Sequence, residues 1–149
     1  MSEPTVFIID DDPSARRGIA RLVLAAGFKA EPFASATDFL VSGKCMDPGC
    51  ILLDVRMPDM NGPQLQEKLF SEEFEFHLPI IFLSAHGDVP TTAKVMKMGA
   101  VDFLTKPVEL EALKEAIQIS LKKDAANRIS KAESSSVQKR LDTLTKREL

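Results

Sequence analysis

The chain has 149 residues, 44% of them hydrophobic and 28% charged, enough for one well-packed domain with an appendage. Cys45 and Cys50, with four residues between them, no second pair and no nearby histidine, match neither the usual zinc spacings nor a disulfide framework; no apolar run reaches the roughly 18 residues of a membrane span, and the opening MSEPTVF lacks a basic stretch followed by an apolar core, so the expectation is a reduced, cytoplasmic protein without anchor or signal peptide. The net charge of −3 conceals an acidic body, with 11 Lys/Arg against 18 Asp/Glu over residues 1–121 for a net −7, and a basic tail, with 8 against 4 over 122–149 for a net +4; the body's sign argues against nucleic-acid binding by the body itself.

The first apolar run, VFII at 6–9, predicts a strand and passes directly into Asp10, Asp11 and Asp12. Two carboxylates about 4 Å apart repel by roughly 4 kcal/mol at an effective dielectric near 20, so three at a strand end call for a cation, a proton or a looser geometry. A helix follows: Ala15, Ile19, Leu22, Val23 and Ala26 share one face, Asp12 is placed as N-cap, Pro13 takes the first helical position and Gly27 is the stop. Strands are predicted at KAEPF (29–33), CILLDV (50–55), IIFLS (80–84) and VDFL (101–104), and helices from Ser35 to about Val41, Gly62 to about Phe70, and Pro90 to about Met98, the last stopped by Gly99. A final helix carries the stripe Leu110, Leu113, Ile117 and Leu121. Five apolar strands alternating with helices imply an α/β domain whose parallel sheet is covered on both faces through right-handed crossovers.

Ligands of such sheets bind outside the carboxyl ends of the strands. Asp10 and Asp11 follow the first strand, Asp54 closes the third, Ser84 the fourth, and Lys106 follows the fifth, so all five converge on one edge. Singly, each has an ordinary explanation as a cap, a turn residue or a surface lysine. Together they supply the parts of a phosphoryl-transfer site. Asp11 and Asp54 can hold Mg²⁺, a hard ion that takes one or two carboxylates, while Asp54 is the natural nucleophile and Lys106 and Ser84 can bond to phosphoryl oxygens.

The segments IIDDD, ILLDVRMPDMNG, IIFLSAHGD and GAVDFLTKP, in this order, closely resemble the receiver domain of bacterial two-component response regulators over residues 5 to about 121. The 30-residue step from Asp54 to Ser84 and the 22-residue step on to Lys106 match that family. The resemblance implies a flavodoxin-like, doubly wound (βα)5 sheet of five parallel strands. It also implies a switch in which Asp54 accepts a phosphoryl group from a sensor histidine kinase, in a reaction needing Mg²⁺ or Mn²⁺. Asp10 and Asp11 are the acidic pair of that family, the backbone carbonyl of Arg56 completes the protein's share of the metal shell, Ser84 stands at the Ser/Thr position, Phe103 at the switch aromatic, and the Lys106–Pro107 bond is commonly cis. Such a domain is regulatory, assisting its own phosphoryl transfer and slow hydrolysis. Asp12 is read as a cap, His86 as positional, and His77 carries no signal; Met96 and Met98 are read as packing residues. The resemblance further implies a homodimer on phosphorylation through the fourth helix, fifth strand and fifth helix, with Val89, Val95, Val101 and Leu104 in or near that face.

Two other readings use similar parts. A haloacid-dehalogenase-type phosphatase also combines a nucleophilic Asp, Mg²⁺, Ser/Thr and Lys, but it places its nucleophile after the first strand with a second carboxylate two residues on; here Arg56 follows Asp54 at that distance, and the acidic pair comes first. A flavin module would need a Ser, Thr or Gly-rich phosphate loop after the first strand, where three aspartates would repel a phosphate.

No Gly or Pro interrupts the chain after Glu109, so the last helix overruns the domain, with weaker apolar positions at Ala125, Ile129 and Ala132, before Ser134, Ser135 and Ser136 loosen it. The terminal LDTLTKREL contains a capping box, Thr145 with Glu148, that announces another helix. This resembles the lead-in to the helix-turn-helix domain of a large branch of response regulators. The expected organisation is a receiver over 1–121, a helical linker over 122–144, and the start of an output domain over 145–149, whose absent remainder would carry DNA binding and transcription regulation.

Overall fold

The computed structural model describes residues 3–44, 47–55, 61–69, 78–85 and 89–148. Strands β1 (Thr5–Ile9), β2 (Lys29–Phe33), β3 (Gly49–Asp54), β4 (Ile80–Ser84) and β5 (Asp102–Thr105) alternate with helices α1 (Pro13–Ala25), α2 (Ala36–Ser42), α3 (Gly62–Leu69), α4 (Val89–Lys97) and α5 (Leu110–Glu148). All neighbouring strands are parallel, in the order β2-β1-β3-β4-β5, which is the flavodoxin-like doubly wound order. Each element falls within two residues of its sequence-based range apart from the end of α5.

The period of two along the strands divides the core into two layers. Phe7, Ile9, Ile51, Leu53, Ile80 and Phe82 face the side covered by α2, α3 and α4 and meet Phe39, Leu65 and Val95 there. Val6, Ile8, Cys50, Leu52, Ile81 and Leu83 face the other side and meet Ile19 and Val23 of α1 and Leu113, Ala116 and Ile117 of α5. The central strands β1, β3 and β4 are buried along almost their whole length, as apolar runs without alternation require. At the edge, β2 is partly exposed and accommodates Pro32 paired with Ile8, a placement a central strand would not tolerate.

Local signals set the helix ends. Asp12 caps α1 by accepting the Ser14 N–H at 3.1 Å, and Ser35 caps α2 by accepting the Asp38 N–H at 3.0 Å. Asn61 and Gln64 form a reciprocal capping box at the start of α3: the Asn61 N–H donates to Gln64 Oε1 at 3.0 Å, and the Gln64 N–H donates to Asn61 Oδ1 at 2.9 Å.

Two expectations, the end of α5 and the packing role of Met96, need correction. Helix α5 does not loosen at 134–136 but continues for 39 residues to Glu148, so Thr145 lies inside a helix and does not begin one. Serine costs only a few tenths of a kcal/mol in a helix relative to good formers, too little to break a segment without Gly or Pro. Val95 is fully buried, and Val101 and Leu104, both half-buried, pack against the α1/α5 layer. Met96 is 41% exposed, because Val95, a step of 100° earlier on α4, takes the inward position.

Candidate functional site: an acidic pocket at the carboxyl edge

In the 2-1-3-4-5 order the chain reverses its direction of progress between β1 and β3, and the crevice at this switch point opens at the carboxyl ends of the strands. β1 delivers Asp10 and Asp11 to that crevice, and the adjacent β3 delivers Asp54 as its last residue. One carboxylate oxygen from each of Asp10, Asp11 and Asp54 lies within 4.8 Å of the others; Asp10 is buried, Asp54 intermediate and Asp11 exposed. The donor set is all oxygen and carries a formal charge of −3 before any counter-ion, which suits a hard divalent cation that keeps part of its water.

Lysine 106 answers part of this charge. Its Nζ donates to Asp10 Oδ2 at 2.8 Å and stands 3.9 Å from Asp54 Oδ2. Its backbone N–H donates to the Ser84 carbonyl at 2.8 Å, and the Lys106–Pro107 bond is cis. The tip of β5 is thereby tied to the tip of β4, and the ammonium reaches across two strands. The second oxygen of Asp10 accepts the Asp12 N–H at 3.0 Å, and Arg16 Nη1 donates to the Asp10 carbonyl at 2.7 Å. The buried carboxylate is therefore bonded on both oxygens, as burial demands.

Ser84 is buried at the end of β4. Phe103, three residues before Lys106, stacks on Phe82, two residues before Ser84, with centroids 6.4 Å apart and an interplanar angle of 24°. Beneath the Asp54 end of β3 the start of α3 comes very close: a Cβ on Gly62 would meet Phe82 Cε1 at 2.7 Å and the Asp54 carbonyl oxygen at 2.8 Å. The Gly62 N–H also donates to the Val55 carbonyl at 2.9 Å.

Of the residues singled out from sequence, Asp10, Asp11, Asp54 and Lys106 are brought together, Ser84 closes the neighbouring β4, and Phe103 lies within β5. Asp12 is a cap and lies outside the carboxylate cluster. Arg56, whose carbonyl was expected to complete a metal shell, and His77 and His86 lie outside the described residues. Sequence reasoning missed Arg16 and the Asn61/Gln64 box; for the second, Asn-x-x-Gln ahead of an apolar helix was the available signal.

Beside the pocket, Ala15, Gly18, Ile19 and Leu22 of α1 and Pro107 and Val108 after β5 line a mostly apolar concavity of about 320 Å³ that reaches Lys106. Among the described residues no helix is long and apolar enough to cross a membrane.

Known proteins resemble this chain in sequence and fold. The chain is 39% identical over 146 residues to the response regulator protein TmoT of Ectopseudomonas mendocina, covering 98% of this chain and 66% of TmoT. It is 41% identical over 148 residues to the transcriptional regulatory protein TdiR of Thauera aromatica, covering 97% and 63%. The chain thus spans less than two thirds of the length of either relative. The solved structure of the response regulator StyR superposes with a TM-score of 0.87 at 41% identity, covering 99% of this chain and 73% of StyR. Residues 6–118 match the family model of the response regulator receiver domain, and with the fold and these relatives in agreement, the chain belongs to the response regulator receiver family.

Proposed function

We propose that the chain is a phosphorylation-controlled switch in which Asp54 takes a phosphoryl group from a phosphohistidine on a sensor histidine kinase. The observation that carries this reading is Lys106 Nζ, held between Asp10 Oδ2 at 2.8 Å and Asp54 Oδ2 at 3.9 Å inside a three-carboxylate cluster. A structural ion pair would need one carboxylate; among the described residues three carboxylates meet one lysine, which supports a site for a cation and a phosphoryl group.

In the transfer, an Asp54 carboxylate oxygen attacks phosphorus in line with the leaving group, the P–N bond of the phosphohistidine breaks with its electron pair going to the imidazole, and an acyl phosphate remains on Asp54. Asp10, Asp11, Asp54 and the Arg56 carbonyl would hold Mg²⁺ or Mn²⁺, which would supply positive charge against the phosphoryl oxygens. Lys106 turns from the Asp10 carboxylate to the new phosphoryl oxygens, and the Ser84 hydroxyl donates to another of them. The apolar concavity beside Lys106 supports an approach of the donor histidine over α1 and the segment after β5. The domain is regulatory and not a turnover enzyme, although it assists its own phosphoryl transfer and slow hydrolysis.

Movement of the segment that carries Ser84 would change the packing of Phe103 on Phe82 and shift the α4, β5 and α5 face toward a symmetric homodimer. Among the described residues Met96 of α4 and Ile119 and Ile129 of α5 are large, apolar and exposed, and Met96 and Ile119 support such a face. The receiver comprises residues 1–121, residues 122–144 act as a helical linker, and 145–149 lead toward an output region that contacts DNA and regulates transcription; the receiver itself makes no sequence-specific DNA contact.

Intact mass after incubation with acetyl phosphate, with and without Mg²⁺, tests the reading. One phosphoryl group should appear, only with the metal, and Asp54→Asn should remove it while leaving the fold intact. Full-rate labelling of that variant would move the acceptor elsewhere. Sedimentation with beryllofluoride should show a shift from monomer to dimer, and an unchanged mass would refute the dimer.

A further inference from the structure

At the opposite, amino end of β3 lies a second charged cluster that phosphoryl transfer does not use. Asp124 of α5 is 4% exposed, and its Oδ2 accepts both the Gly49 N–H at 3.0 Å and Arg128 Nε at 2.9 Å. Arg128 Nη2 reaches on to the Asp47 carbonyl at 2.8 Å. Around them Lys122, Lys123, Ala125, Ala126 and Asn127 are all exposed, so on this turn of α5 only positions 124 and 128 turn inward.

An i,i+4 acid–base pair on a solvated helix contributes a few tenths of a kcal/mol and fixes nothing else. Here the carboxylate is buried and bonded to another element. Burial pushes the neighbouring Cys50 thiol far above its ordinary range, and the charge of Asp124, close to that strand, adds to the shift. Gly49 presents its N–H from a fixed place: its φ is +151°, and a Cβ there would stand 1.9 Å from the Thr5 carbonyl oxygen. Two residues one helical turn apart therefore grip two backbone groups two residues apart, and two such points determine both the axial position and the rotation of α5.

We propose that Asp124 and Arg128 form a latch that carries α5 past Leu121 as part of the receiver body and releases it at Arg128 as a rigid lever, aligned by the same strand that ends in Asp54. The latch sets the direction of the helix toward whatever follows it. It rests on α5, β3 and the turn that leads into β3, and stands whether or not Asp54 is the phosphoacceptor.

The test uses the full chain in a Cys45→Ser background. Amide hydrogen exchange should show protection through residue 128 in the parent. In Asp124→Ala the amides of 122–133 should exchange about tenfold faster while those of β1, β3 and β4 keep their protection. Spin labels at Val41→Cys and Glu133→Cys should give a narrow distance distribution in the parent and a broad one in Asp124→Ala. A role confined to stability would lower the melting temperature without broadening that distribution. If Asp124→Ala fails to fold, Arg128→Met, which leaves the Gly49 bond in place, should still loosen 125–133. Unprotected amides at 122–128 in the parent, or unchanged exchange and distances in the folded variant, would overturn the latch.

Discussion

Strand β3 joins two carboxylate centres of opposite design. At its amino end one aspartate, Asp124, meets one arginine and one backbone N–H, and charge and hydrogen bonds close on themselves. At its carboxyl end one oxygen from each of Asp10, Asp11 and Asp54 lies within 4.8 Å of the others, and among the described residues the ion pairs of Lys106 with Asp10 and Asp54 leave negative charge in excess. Both centres hold a buried aspartate on a cation less than 3 Å away, so burial and ion pairing do not distinguish a structural centre from a functional one. The surplus of negative charge does, because it is a cost the fold carries without structural return.

The sharpest way to break this contrast is to exchange the expected consequences. Gly49→Ala, at the closed end, places a methyl 1.9 Å from the Thr5 carbonyl oxygen on a backbone with φ +151°. β1 and β3 must separate there or the turn must rebuild. The steric and conformational terms together cost about 4 kcal/mol, seen as a large fall in the denaturation midpoint and a weakly populated native state. Asp54→Asn, at the open end, should lose labelling and keep its midpoint. A Gly49→Ala protein as stable as the parent would remove the claim that the amino end is built for rigidity.

The next effect is read with metal. Mg²⁺ bound at the open end relieves repulsion among Asp10, Asp11 and Asp54, and at a free-ion concentration of 100 times Kd it should add about 2.7 kcal/mol of stability. Asp11→Ala should abolish most of the metal-dependent rise in melting temperature. Asp124→Ala, although destabilising, should retain it in full. An unchanged rise in Asp11→Ala would exclude that residue as a ligand, and a lost rise in Asp124→Ala would show that the two ends of β3 are not separate centres.

The open end was legible in the sequence and the closed end was not, for a physical reason. Asp10, Asp11, Asp54, Ser84 and Lys106 each stand at the end of a predicted strand, and the parallel topology brings all such ends to one edge, so strand prediction alone placed them together. Asp124 meets Gly49 from 75 positions away, and an Asp–Arg pair at i,i+4 in a basic segment is what any solvated helix displays. Nothing local marks it as buried. Rotation about a helix axis was the other weak point. At α4 Met96, read as a packing residue, is exposed, while Val95 beside it is buried. The length of α5 was missed because three consecutive serines look like a break, yet their summed propensity cost is small beside the continuity of their neighbours.

The smallest effect concerns how the open end is supported. Helix α3 is eight residues long, too short to persist without tertiary packing and caps, and its first residue, Gly62, lies against the Asp54 carbonyl. The Asn61/Gln64 box satisfies two N–H groups at that point. Asn61→Ala removes one acceptor and should cost about 1 kcal/mol, equivalent to a fall in melting temperature of about 3 °C for a chain of this size. Asn61→Asp, which keeps an acceptor in place, should recover most of it. Because the box supports the backbone under Asp54 and contributes no atom to the carboxylate cluster, both variants should still take one phosphoryl group from acetyl phosphate in the presence of Mg²⁺. Loss of labelling in a folded Asn61→Ala protein would mean that the position of α3, and not the charge imbalance of the pocket alone, determines whether Asp54 can react.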